Sequence, residues 1–201
     1  MSLNHKNSLG IVVADINFFF SHRLELARKL SEEFQIIVIS DLNNADMSEL
    51  AKYSFIKFVH LKSRAKKNKF MNIISTIRYS IGLNLTLKSN KIDNVFFITL
   101  ESSIIGAIAS KYLNIKKYYV ISGAYVLKES SKIKLITTKI FSYFKSTDDK
   151  FIFQNNEDKS LFEEMLGQNN RFFIIKGNGI NLSSIKFQSF KNINKVKFLY
   201  A

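Results

Sequence analysis

The chain of 201 residues contains no cysteine, no proline and no tryptophan. Without cysteine there are no disulfide bonds, no thiolate metal sites and no cysteine nucleophile. The lack of proline, in a chain rich in lysine, asparagine, isoleucine and phenylalanine, indicates a bias toward A/T-rich codons. We therefore expect any motif that usually contains proline to depart from its usual form here.

Long hydrophobic runs are also missing. Apolar runs such as residues 36–39 have the length of a strand, whereas a membrane-spanning helix needs roughly 20 residues. The first residues lack the apolar core of a signal peptide. The sequence therefore predicts a cytoplasmic protein without a membrane span, and its 46% hydrophobic content fits one α/β domain with a sizeable core.

Negative charge is scarce, with 16 acidic against 30 basic residues and a net charge of +14. This balance favours nucleic acid, an anionic membrane surface or phosphate-bearing substrates as partners, although the same codon bias also enriches lysine. The chain has no helix-turn-helix, zinc-finger or RNP signature, so we expect no nucleic-acid partner. Its histidines stand apart from any carboxylate cluster, so we expect no metal site and no resident cofactor.

Short β-rich runs alternate with longer amphipathic stretches about six times along the chain. This order predicts an α/β fold with a doubly wound, mostly parallel, Rossmann-like sheet. In such sheets ligands bind beyond the carboxyl ends of the strands, so the loops that follow the strands are candidate sites. The predicted strands cover residues 10–15, 34–40, 56–61, 95–99, 117–121, 150–154 and 172–176.

Three predicted helices carry specific expectations. Residues 21–33 predict a helix with Ser21 as its N-cap. Residues 102–113 are small and apolar, which predicts close packing of that helix on the sheet. Residues 71–87 predict a helix whose apolar stripe faces the core; the stripe consists of Met71, Ile74, Ile77, Ile81 and Leu85.

The loop after the first predicted strand contains Asn17 and leads into the run Ser21-His22-Arg23. Backbone N–H groups at the start of a helix at this edge of the sheet favour an anion. His22 and Arg23 would add donors to a phosphate or a sugar hydroxyl. The alternative is that His22 is an ordinary surface residue of the helix.

Polar residues also follow the fourth and fifth predicted strands. Thr99, Glu101, Ser102 and Ser103 can bind sugar hydroxyls, and Glu101 can act as an acid/base group. The alternative is that Ser102 and Glu101 simply cap the following helix. Gly123 allows close approach of the backbone to a ligand, or is a plain turn glycine.

The last informative segment joins residues 151–162, which read FIFQNNEDKSLF, to the run Lys176-Gly177-Asn178-Gly179. The two glycines suit a strained turn with close backbone approach. A lysine-rich connector and the run FLYA at residues 198–201 follow. This run predicts the start of another buried strand, so we expect the chain to be part of a longer protein.

Taken in order, these segments resemble the N-terminal half of family-4 glycosyltransferases of the GT-B type. The resemblance is greatest to bacterial enzymes that build surface polysaccharides, such as capsule, lipopolysaccharide or O-antigen, on polyprenyl-diphosphate carriers. It implies a retaining transferase that moves a sugar from a nucleotide-diphospho-sugar to a glycan acceptor. Residues 1–182 would form the acceptor-side domain, and residues 183–201 the linker and first strand of a donor-binding domain.

The resemblance also implies roles for individual residues. Glu101 would be catalytic, and Gly177, Asn178 and Gly179 would face the donor side of the cleft. The acceptor site would contain Asn17, Ser21, His22, Arg23, Thr99, Ser102, Ser103 and Gly123.

A basic stretch at residues 62–69 holds five cations and no acid. Basic residues beside an amphipathic helix suit an anionic lipid surface, and relatives dock to the inner face of the membrane. The alternative is a solvated loop. The cations assigned to the membrane surface are Lys62, Arg64, Lys66, Lys67 and Lys69.

Two other functions remain open from the sequence. A non-catalytic Rossmann-like module that binds an anionic membrane surface would have the same fold and charge. A nucleotide-sugar epimerase would need a Gly-x-Gly-x-x-Gly fingerprint after the first strand, and residues 15–19 offer none.

Overall fold

The computed structural model describes residues 6–43, 45–62, 69–168 and 170–177. Strands and helices alternate along these ranges. The strands are β1 (Ser8–Val12), β2 (Gln35–Ser40), β3 (Ile56–His60), β4 (Asn94–Ile98), β5 (Lys116–Ile121), β6 (Lys150–Phe153) and β7 (Phe172–Ile174). The helices are α1 (Ile16–His22), α2 (Leu24–Leu30), α3 (Met47–Leu50), α4 (Lys69–Ser89), α5 (Leu100–Ser110), α6 (Tyr125–Glu129), α7 (Ser131–Phe144) and α8 (Asn156–Leu166).

The strands form one sheet in the order β3-β2-β1-β4-β5-β6-β7, and every neighbouring pair is parallel. The predicted doubly wound sheet is therefore confirmed. The chain moves outward in one direction from β1 to β3 and in the other from β4 to β7. The strand order thus reverses between β1 and β4, where a doubly wound sheet opens a crevice for ligands.

Helices cover both faces of the sheet. Side chains from α4, α5, α7 and α8 pack on one face, around the aromatic residues Tyr119, Phe141, Phe151 and Phe162. Helices α1, α2 and α3 pack on the other face over β1 to β3. The two helical layers cover the faces of the sheet and leave its carboxyl edge open.

Helix α5 packs closely on the sheet, as its small residues predict. A Cβ atom added at Gly106 would lie 2.4 Å from the Phe97 ring. Only glycine allows this approach, since overpacking a core contact costs about 1–3 kcal/mol. The middle of α5 is thereby packed directly on β4.

The first helix differs from the prediction in its start and its cap. Asp15, not Ser21, is the N-cap of α1, because its Oδ1 accepts a hydrogen bond from the backbone N–H of Asn17 at 2.9 Å. The Ser21 hydroxyl instead donates to the carbonyl oxygen of Asn17. The predicted single helix is broken at Arg23 (φ −128°, ψ −8°), so α1 and α2 are separate.

The expected core stripe of α4 was wrong. Ile77, Ile81 and Leu85 are 55%, 56% and 59% exposed. The core is instead contacted by Leu83 and Leu87, which are almost fully buried. On the same side of α4, Asn84 Nδ2 donates to the carbonyl oxygen of Ala109 at 2.6 Å, which connects α4 to α5.

No helix among the described residues is both long and apolar enough to cross a lipid bilayer. Residues 178–201 lie outside the described ranges. The proposed boundary at residue 182 and the strand expected at residues 198–201 therefore stay predictions.

Candidate functional site

A cavity of about 860 Å³ opens at the carboxyl edge of the sheet, where the strand order reverses. Its polar end is built by residues that follow three neighbouring strands. Asp15 follows β1, Thr99 and Glu101 follow β4, and Ser122 and Gly123 follow β5. The geometry therefore brings together three of the residues that the sequence assigned to the site: Thr99, Glu101 and Gly123.

Apart from Thr76 of α4, the rest of the lining of this cavity is apolar. From Glu101 to Ile108 the wall follows α5 for eight residues, about 10 Å of helix. The facing wall belongs to α6 and α7. The cavity is thus a slot with a polar head and an apolar body, and its apolar lining includes Phe18, Ile104, Ile105, Ile108, Val126, Ile133 and Ile140.

Thr99 occupies an unusual backbone conformation at the polar end, with φ 86° and ψ 157°. This region is essentially restricted to glycine, and a β-branched residue there costs about 1–3 kcal/mol. The conformation is held from both sides: the Thr99 N–H donates to the carbonyl oxygen of Val120 at 3.0 Å, and Oγ1 accepts from the Ser102 N–H at 3.4 Å. Such strain is concentrated at functional sites.

Gly123 lies opposite, at the end of β5, with φ 75°. A Cβ atom added there would meet no heavy atom within 4 Å. Glycine is therefore required by the backbone conformation and not by a crowded neighbour. The space beside it is open to a ligand in the cavity.

The residues of α1 lie at the rim of the cavity. Phe18 lines the cavity, and the His22 ring stacks on it with 4.6 Å between centroids. Ser21 Oγ lies 2.6 Å from His22 Nδ1. Asn17, Ser21 and His22 are all exposed, so the structure places them on the surface beside the cavity and not in its polar end.

Arg23 lies elsewhere, in a second cavity of about 360 Å³ on the face of the sheet that α2 covers. It is only 4% exposed, and burial lowers the pKa of its guanidinium. Gln154 and Gly177, which has φ 70°, line the same cavity. Arg23 and Gly177, which the sequence assigned to different parts of the cleft, are therefore neighbours.

Ser102 and Ser103, near the start of α5, form hydrogen bonds to neighbouring groups of the protein. Ser103 is fully buried, and its hydroxyl donates to the carbonyl oxygen of Phe97 at 3.1 Å. Ser102 is 6% exposed and its N–H bonds the Thr99 cap. Both residues hold the start of α5 against β4. The N-cap of α5 is Thr99 and not Ser102, so the capping alternative named the wrong residue.

Several assigned residues are not described. Asn178 and Gly179 lie outside the described ranges, as do Arg64, Lys66 and Lys67. Of the other basic residues of that stretch, Lys62 is exposed and Lys69 is the first residue of α4.

Sequence reasoning missed Asp15, Ser122 and the apolar wall. Asp15 and Ser122 each follow the end of a parallel strand, and that position alone could have identified them. The wall could not be found in this way, because Ile108 and Ile140 come from helices whose neighbourhood only the fold defines.

No family model matches the chain, and no curated protein matches it. Among solved structures it is similar to a sucrose-phosphate synthase from Thermosynechococcus elongatus, with 8% identity and a TM-score of 0.58 over 89% of this chain and 92% of that chain. It also matches a chain from Listeria monocytogenes described as a UDP-N-acetylglucosamine 2-epimerase, with 11% identity over 87% of this chain and 70% of that chain. That second TM-score, 0.44, is too low to carry an argument. The first likeness concerns the fold alone, and it agrees with the fold class predicted from the sequence, an α/β fold with a doubly wound, Rossmann-like parallel sheet.

Proposed function

We propose that this chain is the acceptor-side domain of a retaining GT-B glycosyltransferase. The enzyme would move a sugar from a nucleotide-diphospho-sugar to a hydroxyl of a glycan acceptor in surface polysaccharide biosynthesis, at the cytoplasmic face of the membrane. The observation that supports this most is the cavity at the strand-order reversal, whose polar end draws on three neighbouring strands. Ligands of doubly wound domains bind at this point.

The polar end suits a sugar. The carboxylates of Asp15 and Glu101 can accept hydrogen bonds from hydroxyl groups, and Thr99 and Ser122 can both donate and accept. The open space beside Gly123 leaves room for the ring. We assign to Glu101 the acid/base role at the acceptor hydroxyl, since it lies where the cavity's polar end meets the start of α5.

The apolar body of the cavity supports a lipid-linked acceptor. A free oligosaccharide would leave the isoleucine-lined wall between α5 and α7 unused. A polyprenyl-diphosphate-linked glycan joins a hydrocarbon to a sugar in one ligand, so the apolar body of the slot suits the hydrocarbon and its polar head suits the sugar hydroxyls. We assign the donor-facing contacts to Gly177 and the buried Arg23, which line the second cavity. The donor-side roles of Asn178 and Gly179 stay predictions from the sequence.

The test is a transfer assay with the full-length protein, a panel of nucleotide-diphospho-sugars and a lipid-linked acceptor. Glu101→Gln is expected to lower kcat about 10²- to 10⁴-fold, the usual contribution of a positioned acid or base. Glu129→Gln is the matched control, because Glu129 is exposed on α6 and does not line the cavity, and it should keep full activity. Residues 1–201 alone should show no transfer.

The competing proposal is a non-catalytic module at a membrane surface. It predicts no sugar transfer with any donor, together with intact binding to anionic lipid. That combination of results would overturn the proposed function.

A further inference from the structure

The apolar body of the slot runs along two helices that point in the same direction. Helix α5 follows β4 and helix α7 follows β5, so both lead from the carboxyl edge of the sheet back to its amino edge, and they pack against each other. On α5 the apolar lining extends from Ile104 to Ile108, and on α7 from Ile133 to Ile140. Ile108 and Ile140 therefore mark the far end of the lining on both walls.

One turn beyond this end, a lysine and a tyrosine connect the two helices. Lys111, the C-cap of α5, comes three residues after Ile108, and Tyr143 comes three residues after Ile140. Residues three apart are neighbours on one face of a helix. Lys111 Nζ donates to the Tyr143 carbonyl oxygen at 2.9 Å and lies 3.3 Å from the centroid of the Tyr143 ring. We call this contact between Lys111 and Tyr143 the end bridge.

A second aromatic ring supports the end bridge. The Tyr143 ring meets the Phe144 ring edge-to-face with 4.9 Å between centroids, and Phe144 packs against the hydrophobic core. The Lys111 ammonium lies 5.0 Å from the centroid of the Phe144 ring. A cation is attracted to the face of each ring that lies this close. The end bridge is therefore an ordered contact, although the Tyr143 side chain itself is 66% exposed.

The position of the end bridge gives the apolar body a definite length. Helix α5 rises about 10 Å between Ile104, where the apolar lining begins, and Lys111. An extended carbon chain advances about 1.2 Å per bond, so about two isoprene units of four chain bonds each fill this length. A longer hydrocarbon meets the end bridge, and it can pass only if the hydrogen bond of Lys111 to the Tyr143 carbonyl oxygen is broken.

We propose that the end bridge closes the far end of the slot, so that the slot binds about two isoprene units of the acceptor, those nearest its diphosphate. This inference rests on the proposed function, because it takes the acceptor to be linked to an isoprenoid. The remaining units of the carrier lie outside the slot, so carriers that differ only in those units bind alike. Lys111 and Tyr143 thus determine specificity through the length of the slot, without contact with the sugar.

The length of the slot is measured by isothermal titration calorimetry of the 201-residue chain. The probes are glucose linked through a diphosphate to one, two, three or four isoprene units. Every probe carries the same head, so differences in affinity report the hydrocarbon. The affinity should rise about tenfold or more from one unit to two, because burying two further methylene groups already gives this factor, and it should then stay within about twofold.

The role of the end bridge is tested with Lys111→Ala and Tyr143→Ala together. Opening the end of the slot should let the three-unit probe bind about tenfold more tightly than the two-unit probe. The matched control is Lys116→Ala with Tyr112→Ala, which removes two exposed residues of the same types from the same end of the molecule. It leaves the contact between α5 and α7 in place, so its affinities should level off at two units as in the wild type.

A variant that shortens the slot tests the same inference from the other side. Ile108→Trp fills its far end and should lower the affinity of the two-unit probe to that of the one-unit probe, with an unchanged circular dichroism spectrum. Wild-type affinities that keep rising up to four units, or affinities that still level off at two units without the end bridge, would overturn the inference and leave the proposed acceptor standing. If none of the four probes binds the wild type, the lipid-linked acceptor is itself wrong.

Discussion

At the level of single residues, Thr99 both caps a helix and lines the main cavity, in a strained backbone conformation. Its φ of 86° is unfavourable for a β-branched side chain, yet its Oγ1 caps α5 and lines the main cavity. Thr99→Gly is expected to raise the free energy of unfolding by about 1 kcal/mol. The strain of about 1–3 kcal/mol is released, whereas glycine as an N-cap loses only a few tenths.

Urea denaturation measures this effect, and Thr99→Ala is its control. Alanine removes the hydroxyl but keeps the unfavourable φ, so it should lower the free energy of unfolding by about 1 kcal/mol. A glycine variant less stable than the alanine variant would contradict the strain at this position.

Single residues also show what the sequence could and could not predict. Thr99, Glu101 and Gly123 lie together at one edge, because each follows a strand and parallel strands end together. Ser103 was also assigned to the acceptor site, because the sequence does not reveal that its hydroxyl donates to the carbonyl oxygen of Phe97. Arg23 was assigned to the same site as His22, but the break between α1 and α2 turns its side chain into the second cavity.

At the level of elements, the junction of β5 and β6 contains a buried ion pair. Lys117 Nζ lies 3.4 Å from Asp149 Oδ1, and both side chains are about 3% exposed or less. Asp149 Oδ2 accepts hydrogen bonds from the Tyr119 hydroxyl at 3.1 Å and the Ser146 N–H at 2.8 Å. Burial raises the pKa of the Asp149 carboxyl, while the Ser146 N–H and then the Lys117 ammonium act in the lowering direction.

Lys117→Met is expected to lower the free energy of unfolding by about 3 kcal/mol at neutral pH, because it leaves a buried carboxylate without its cation. The loss should shrink as pH falls toward the raised pKa of Asp149. The folded protein then takes up a proton more readily than the unfolded chain, which stabilises the fold in acid. Urea denaturation of wild type and variant at about pH 7 and about pH 5 measures this.

The control for this pair removes both charges. Lys117→Met with Asp149→Asn keeps an acceptor for the Tyr119 hydroxyl and should recover much of the lost stability at neutral pH. A loss that is the same at both pH values, or larger in the double variant, would contradict the account of this junction.

The apolar pattern of helix α4 does not determine which of its faces is buried. Its sequence offers two apolar stripes, one through Ile77 and Ile81 and one through Leu83 and Leu87. Periodicity cannot choose between them, because both fit a helix. The choice is made by tertiary contacts such as Asn84 to the Ala109 carbonyl oxygen, and the stripe through Ile77 and Ile81 stays exposed.

For the whole molecule, the alternation of strands and helices was sufficient to predict the sheet and its parallel direction. It was also sufficient to predict that ligands bind at the carboxyl edge. The cavity itself was beyond prediction, since its wall joins Ala14, Ile108 and Ile140, which only the strand order brings together.

The central claim, that the cavity at the strand-order reversal holds a lipid-linked acceptor, is tested most directly by methyl NMR of the 201-residue chain. The isoleucine δ1 methyl groups are followed during titration with a short-chain isoprenyl-diphosphate-linked sugar. The account predicts shifts at Ile104, Ile108, Ile133 and Ile140. Shifts confined to Ile152 and Ile175, which line the second cavity, or no shifts at saturating ligand, would contradict it.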